Sequence, residues 1–160
     1  MNKLWKSDIT FELKLRIFKA ICIPILLYSC ETWTVSKSME NMINSFGTSC
    51  YRRMLGINWI EKVSNETIYK KAHTYPLYCT VLRRQLEFLG TIMRLPEETT
   101  SRKYALFQAN QGFRNIGRPK MTYVMYIENV TQLSSEALRI LAQDESLWEN
   151  VITDVLSRIY

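Results

Sequence analysis

At 160 residues the chain suits one domain or two small helical subdomains, and a hydrophobic content of 47% excludes wholesale disorder. Five Gly and four Pro are too few for an architecture of strands and tight turns, so helices are favoured. The net charge of +6 is unevenly spread: 8 Lys/Arg face 4 Asp/Glu over residues 1–56, 11 face 5 over 57–120, and 2 face 6 over 121–160. A basic body with an acidic closing segment points to a polyanionic partner for the first two-thirds.

In chain order, residues 8–31 read as a helix with a bend. Leu13, Ile17, Ile21, Pro24 and Tyr28 recur at helical spacing with Phe18 and Ile25 beside them, while Lys14, Arg16 and Lys19 take the wetter side. Pro24 removes an amide hydrogen and crowds the preceding turn, which predicts a kink or break. Ser36 suits the N-cap of a helix reaching Leu55 and stopped by Gly56. Its expected stripe is Met39, Met42, Ile43, Phe46, Cys50 and Met54. Arg53, seven residues after Phe46, returns to that face, and Arg52 points elsewhere. Ser64 caps a short helix to Ala72, and Pro76 opens the longest regular helix, to Leu95. Leu82, Leu86, Leu89 and Met93 mark its core stripe. Arg83, Glu87 and Arg94 share another face around Gly90, next to a row holding Arg84.

Residues 97–103 are polar, with a short helix to Gln108. Residues 110–120 combine Gly112, Gly117 and Pro119 with Arg114, Arg118 and Lys120, so they form a basic loop and the expected subdomain boundary. The expected organisation is therefore a helical region over 1–109, the loop 110–120, and a helical cluster over 121–160. Helices near 121–130, 134–142 and 145–159 follow, with Ser134 and Asp144 as caps. Trp148, Ile152, Val155 and Ile159 form the last stripe, and Tyr123 and Tyr126 belong to the core. The fold class is all-α, an irregular helical bundle with a smaller C-terminal helical cluster.

No layout for catalysis is legible. His73 is the only histidine and sits between a short helix and Pro76, without a nucleophile motif nearby. Asp8, Asp144 and Asp154 are scattered, whereas holding divalent ions for phosphoryl transfer needs clustered carboxylates. No phosphate-binding glycine loop is present. Cys22, Cys30, Cys50 and Cys79 form no close pair, so no zinc site is expected. Buried free thiols suit a reducing, intracellular setting, nuclear or cytoplasmic. No cofactor or metal is expected. The longest apolar stretch, Ala20 to Tyr28, is too short to span a bilayer, and no secretory leader is evident.

The basic features carry the rest. Arg52, Arg53, Arg83, Arg84, Arg94, Arg118 and Lys120 are the candidate phosphate contacts, the guanidinium fork being well matched to that anion. Surface or core-rim arginines are the plainer alternative for each. Gly117-Arg118-Pro119 is also the core triplet of minor-groove hooks, although Ile116 stands where a second Arg would serve.

The order of motifs adds a resemblance. LKLRIFKAICIPILLYSCETW, Leu13 to Trp33, resembles the segment after the palm in reverse transcriptases of non-LTR retrotransposons, a Lys-rich helix, a central Pro, then Tyr-Gly-x-Glu-x-Trp. CYRRMLGINW, Cys50 to Trp59, is similar to the family's Arg-rich helix end with Leu-Gly-Ile. VLRRQLEFLGTIMRLP, Val81 to Pro96, resembles its Arg-Arg-x-Leu…Leu-Gly-His-Ile-x-Arg. GRPKMTY, Gly117 to Tyr123, resembles Gly-Arg-Pro followed by Trp. LAQDESLW, Leu141 to Trp148, matches Ala-x-Asp-x-x-x-Trp. Ser29 replaces the usual Gly, Thr91 the His, and Tyr123 the Trp, and Met125 sits near a common acid position; such changes fit a decayed or domesticated copy.

The resemblance implies the thumb and post-thumb region of an endonuclease–reverse transcriptase, with residues 1–109 thumb-like. In that family the catalytic aspartates of the palm lie upstream, and nothing here corresponds to them or to the endonuclease. The chain is then not an enzyme on its own. It would help hold template–primer RNA or DNA through the phosphate backbone, beside a polymerase palm it does not contain. The alternatives are a helical protein-interaction module and a retroelement relic without function.

Overall fold

The computed structural model describes residues 5, 7–107 and 121–159. Among them every regular element is helical and no strand occurs, so the all-α expectation holds. Packing groups the chain into two compact units. The first comprises Met1–Cys30 with Ser36–Val81, and the second comprises Glu31–Val35 with Leu82–Tyr160. The loop expected at 110–120 lies outside the described residues. No helix among the described residues is long and apolar enough to cross a membrane.

The first unit begins with α1 (Phe11–Ile17), whose N-terminus is capped by the Thr10 hydroxyl accepting from the Leu13 amide. A widened π turn over Phe18–Cys22 follows, then the short α2 (Ile23–Leu26) with Pro24 in its first turn. The irregularity predicted at Pro24 is thus placed just before it. In the wider turn the Ile23 amide reaches back to Phe18 O, and Pro24 sits where its missing N–H is tolerated.

α3 (Lys37–Leu55) starts at Ser36, whose hydroxyl accepts from the Met39 amide at 3.3 Å. It stops at Gly56, in the left-handed region at φ 69°. α4 (Asn65–Ala72) is capped by Ser64 and ends at His73, also left-handed at φ 46°. The only histidine therefore closes a helix. α5 (Leu77–Met93) starts right after Pro76, and the Asn44 side-chain oxygen accepts from the Tyr78 amide at 3.0 Å. That bond satisfies one of the amides a helix start leaves open.

The core of this unit is built around Phe18 and Tyr51. Their rings meet edge to face at 5.6 Å, with Trp5 at 6.2 Å from Phe18 and Tyr69 at 6.4 Å from Tyr51. Ile68, Ala72 and Leu77 close it. A Cβ on Gly47 would stand 2.9 Å from Leu77 Cγ, so the close approach of α3 to the start of α5 needs that glycine. Burial pushes the Cys79 thiol up to about 11 and the Tyr69 hydroxyl up to about 12, so both remain neutral.

Two stripes differ from expectation. On α3 the buried face is Ile43, Gly47, Cys50, Tyr51 and Met54, while Met42 and Phe46 are exposed. The helix is turned so that Tyr51, a larger side chain than its neighbours, fills the centre. Over residues 11–28 the departure is greater. Phe18 and Leu27 are fully buried and Lys14 is 8% exposed, while Leu13, Ile21, Ile25 and Tyr28 face outward. Lys14 lines the core with its aliphatic stem instead of taking the wetter side.

In the second unit, residues 31–35 lie with the rest of α5, α6 (Thr100–Ala105), α7 (Tyr123–Thr131), α8 (Ser135–Leu141) and α9 (Glu145–Ser157). Thr122, Ser134 and Asp144 cap the last three through side-chain oxygens. Leu82, Leu86, Leu89 and Met93 are buried as expected, and so are Tyr126, Trp148, Ile152 and Val155, while Tyr123 and Ile159, expected with them, are half-buried. Gln85, fully buried, binds two distant segments: its Nε2 donates to Trp33 O at 2.8 Å, and its Oε1 accepts from Tyr126 Oη at 2.9 Å. Trp148 lies on Gly90. A Cβ there would stand 2.3 Å from Trp148 Nε1, which donates to Leu86 O at 2.8 Å.

Candidate nucleic-acid interface

Helix geometry decides which of the candidate cations face solvent with charge to spare. Arg52 does not. It is half-buried near the end of α3, and its guanidinium donates to Val63 O and to Asn65 Oδ1, each at 2.8 Å. It clips the end of α3 to the start of α4. Arg53, expected on the apolar face, is exposed instead, because α3 turns Tyr51 and Met54 inward and leaves Phe46 at the rim.

In the second unit Arg83 is engaged by two carboxylates, Glu149 Oε1 at 3.1 Å and Glu87 Oε1 at 3.3 Å. The bond to Glu149, assisted by Glu87, raises its pKa further above the usual guanidinium range. A phosphate approaching Arg83 meets both acids. Arg84 is half-buried on the adjacent row. Arg94 donates through Nη1 to Ala142 O at 3.3 Å, at the end of α8. Arg118 and Lys120 lie outside the described residues. The arginine doublets that stand out in the sequence thus include the residues most committed to internal contacts.

Cations that the sequence reading passed over are arranged differently. Among the described residues, Arg102, Lys103 and Arg139 line an open cleft of about 720 Å³ in the second unit, with Met93, Ile140 and Gln143 and one carboxylate, Glu97. Arg102 is fixed: it donates to Leu95 O and pairs with Glu97 at 3.1 Å. Lys103 and Arg139 are exposed. Gln143 holds the wall by donating to Met93 O at 2.9 Å and Arg139 O at 3.2 Å. Arg102 and Lys103 are neighbours in the chain, but only folding brings Arg139 to them.

A second hollow of about 340 Å³ is lined by Phe88, Leu89, Ile92, Tyr104 and Tyr123 among others. Burial raises the Tyr123 hydroxyl to about 12, so it stays protonated. Among the described residues no group of three or more His, Cys, Asp or Glu side chains is gathered where it could hold a metal ion.

The positions that set the motif series apart have physical roles. Gly56 of Leu-Gly-Ile is the left-handed cap of α3. Gly90 of Leu-Gly is the floor under Trp148 of the closing motif. Ser29, where the series usually has Gly, stands at φ 55°, a conformation that favours glycine. No protein-family model matches the chain, and neither a curated protein nor a solved structure matches it significantly.

Proposed function

We propose that this chain corresponds to the thumb and post-thumb region of a non-LTR retroelement reverse transcriptase, without catalytic activity of its own, and that it grips nucleic acid through the phosphate backbone. The observation that carries the reading is the ordered motif series together with the places its residues occupy. Gly90 and Trp148 are 58 positions apart in the sequence, yet they pack against each other. Two unrelated loose matches have no reason to meet in one core. The basic charge of the first two-thirds supports the anionic partner.

The test is a filter-binding titration of the chain against DNA duplex and RNA–DNA hybrid over a range of salt. Affinity should fall linearly in log–log form, with a slope of roughly −0.9 per phosphate neutralised on B-form DNA. Absence of salt-dependent affinity for either substrate sinks the binding claim. Primer extension by the purified chain with Mg²⁺ would refute the absence of catalysis.

A second reading, a helical module that docks a protein, has its own observation. Leu13, Ile21, Ile25 and Tyr28 are outward apolar side chains on the α1–α2 segment and the turn after it, a stretch that already buries Phe18 and Leu27. Salt-independent capture of a protein partner, with no nucleic-acid affinity, would favour it.

A further inference from the structure

The geometry points to the cleft between the end of α5, α6 and α8 as the place where a single-stranded nucleic-acid segment binds, with Lys103 and Arg139 as the phosphate contacts. The inference rests on the nucleic-acid reading proposed above and assigns it a site that the sequence did not suggest.

Three observations converge. First, among the described residues the cleft gathers three cations against one carboxylate, and that carboxylate is already paired with Arg102. Lys103 and Arg139 make no side-chain hydrogen bond or ion pair among the described residues, so their charge is available to a ligand. Arg83, by contrast, is held by two acids, and Arg52 by two oxygen acceptors.

Second, the walls are tied. Gln143 and Arg94 bond the end of α8 to backbone and side chain at the end of α5, and Arg102 bonds the start of α6 to Leu95 O. A ligand entering would order two side chains, not a loop, and the entropic cost of binding is correspondingly small.

Third, size and lining select the ligand. About 720 Å³ lies within the roughly 300–1,000 Å³ of sites that take small molecules and cofactors. The space admits a nucleotide unit of one strand, whereas a double helix would meet it only with its outer phosphates. The largely exposed Ile140 supplies an apolar contact for a sugar or base, while the cations reach the flanking phosphates.

The experiment is fluorescence anisotropy with a labelled single-stranded oligonucleotide and a duplex of the same length, over a salt series. Wild type is compared with K103E/R139E, with the neutral pair K103Q/R139Q, and with R16E/K19E. The last places the same change of charge on exposed residues of the other unit. The cleft pair should lower single-strand affinity about tenfold or more, and the neutral pair should lower it less. The salt slope should fall by about 1.4, two contacts at roughly 0.7 each on a single strand. R16E/K19E should change it far less.

Equal losses in the two charge-reversed variants would mean diffuse attraction and would overturn the inference. So would an unchanged affinity in the cleft variants, or a loss confined to the duplex; each leaves the wider binding reading standing. If wild type binds neither oligonucleotide, both fall together.

Discussion

Residues 11–28 and residues 145–157 offer the same kind of apolar repeat, and the two segments end with opposite fates. In α9 the expected stripe goes inward at Trp148, Ile152 and Val155, and Ile159, past the end of the helix, is half-buried. In the α1–α2 segment the row of Leu13, Ile21, Ile25 and Tyr28 goes outward, with Ile25 at 73% and Tyr28 at 81% exposure. Spacing identifies a stripe; it does not say whether anything lies beneath it. Trp148 has a receiver made for it, a glycine that leaves room and a carbonyl at 2.8 Å that takes its N–H. Phe18 has Tyr51, and by fitting there it draws Lys14 inward and turns its aliphatic neighbours away. The π turn at Phe18–Cys22 adds to this, since it shifts the phase of every later side chain relative to a regular helix.

The widest separation between the two segments should come from Trp148→Ala. Removing a buried tryptophan that also satisfies a carbonyl should cost about 3–5 kcal/mol. Urea unfolding is the measure, read as a lower midpoint at unchanged slope. A cost below about 1 kcal/mol would show that α9 is not received as described and would erase the contrast.

Tyr126→Phe should follow at about 1–3 kcal/mol, because the change leaves Gln85 Oε1 without this donor in the interior. It probes the polar side of the same receiver. Gln85 is fully buried and spans Trp33 O and Tyr126, so its contribution depends on both bonds being present. The expected loss should appear as a lower urea midpoint at unchanged slope, and a neutral result would mean the carboxamide finds another partner.

What the sequence made legible follows the same division. Helix starts at Ser36, Ser64, Ser134 and Asp144, and the stop at Gly56, are local chemistry, readable because cap and helix are neighbours in the chain. The stripe of α5 was legible because Leu82, Leu86, Leu89 and Met93 are buried in regular succession. Gln85 between them gives no such sign, since its two partners lie 52 and 41 residues away. The candidate site divides likewise. Arg52 and Arg83 are conspicuous as doublets, but folding gives them internal acceptors. Lys103, half of a doublet with Arg102, and the isolated Arg139 lie 36 residues apart, and folding sets them beside the same cleft. Charge is legible in a sequence; whether the charge is already used is a tertiary property.

The smallest effect is expected where the apolar side chains are largest in number and least engaged. Replacing Ile21 and Ile25 together by Gln should alter the unfolding free energy by no more than about 0.5 kcal/mol per site, the usual range for exposed positions. Helix propensity adds little, because Gln is a slightly better helix former than Ile. The same double variant should lose any protein partner that uses the stripe, while its affinity for nucleic acid stays at the wild-type value. If unfolding instead shows a loss of more than about 2 kcal/mol, the stripe is covered within the folded chain, and the contrast with α9 fails. Loss of nucleic-acid affinity without loss of stability would place the stripe in the binding surface, and apolar contact would then have to share the grip with the cations.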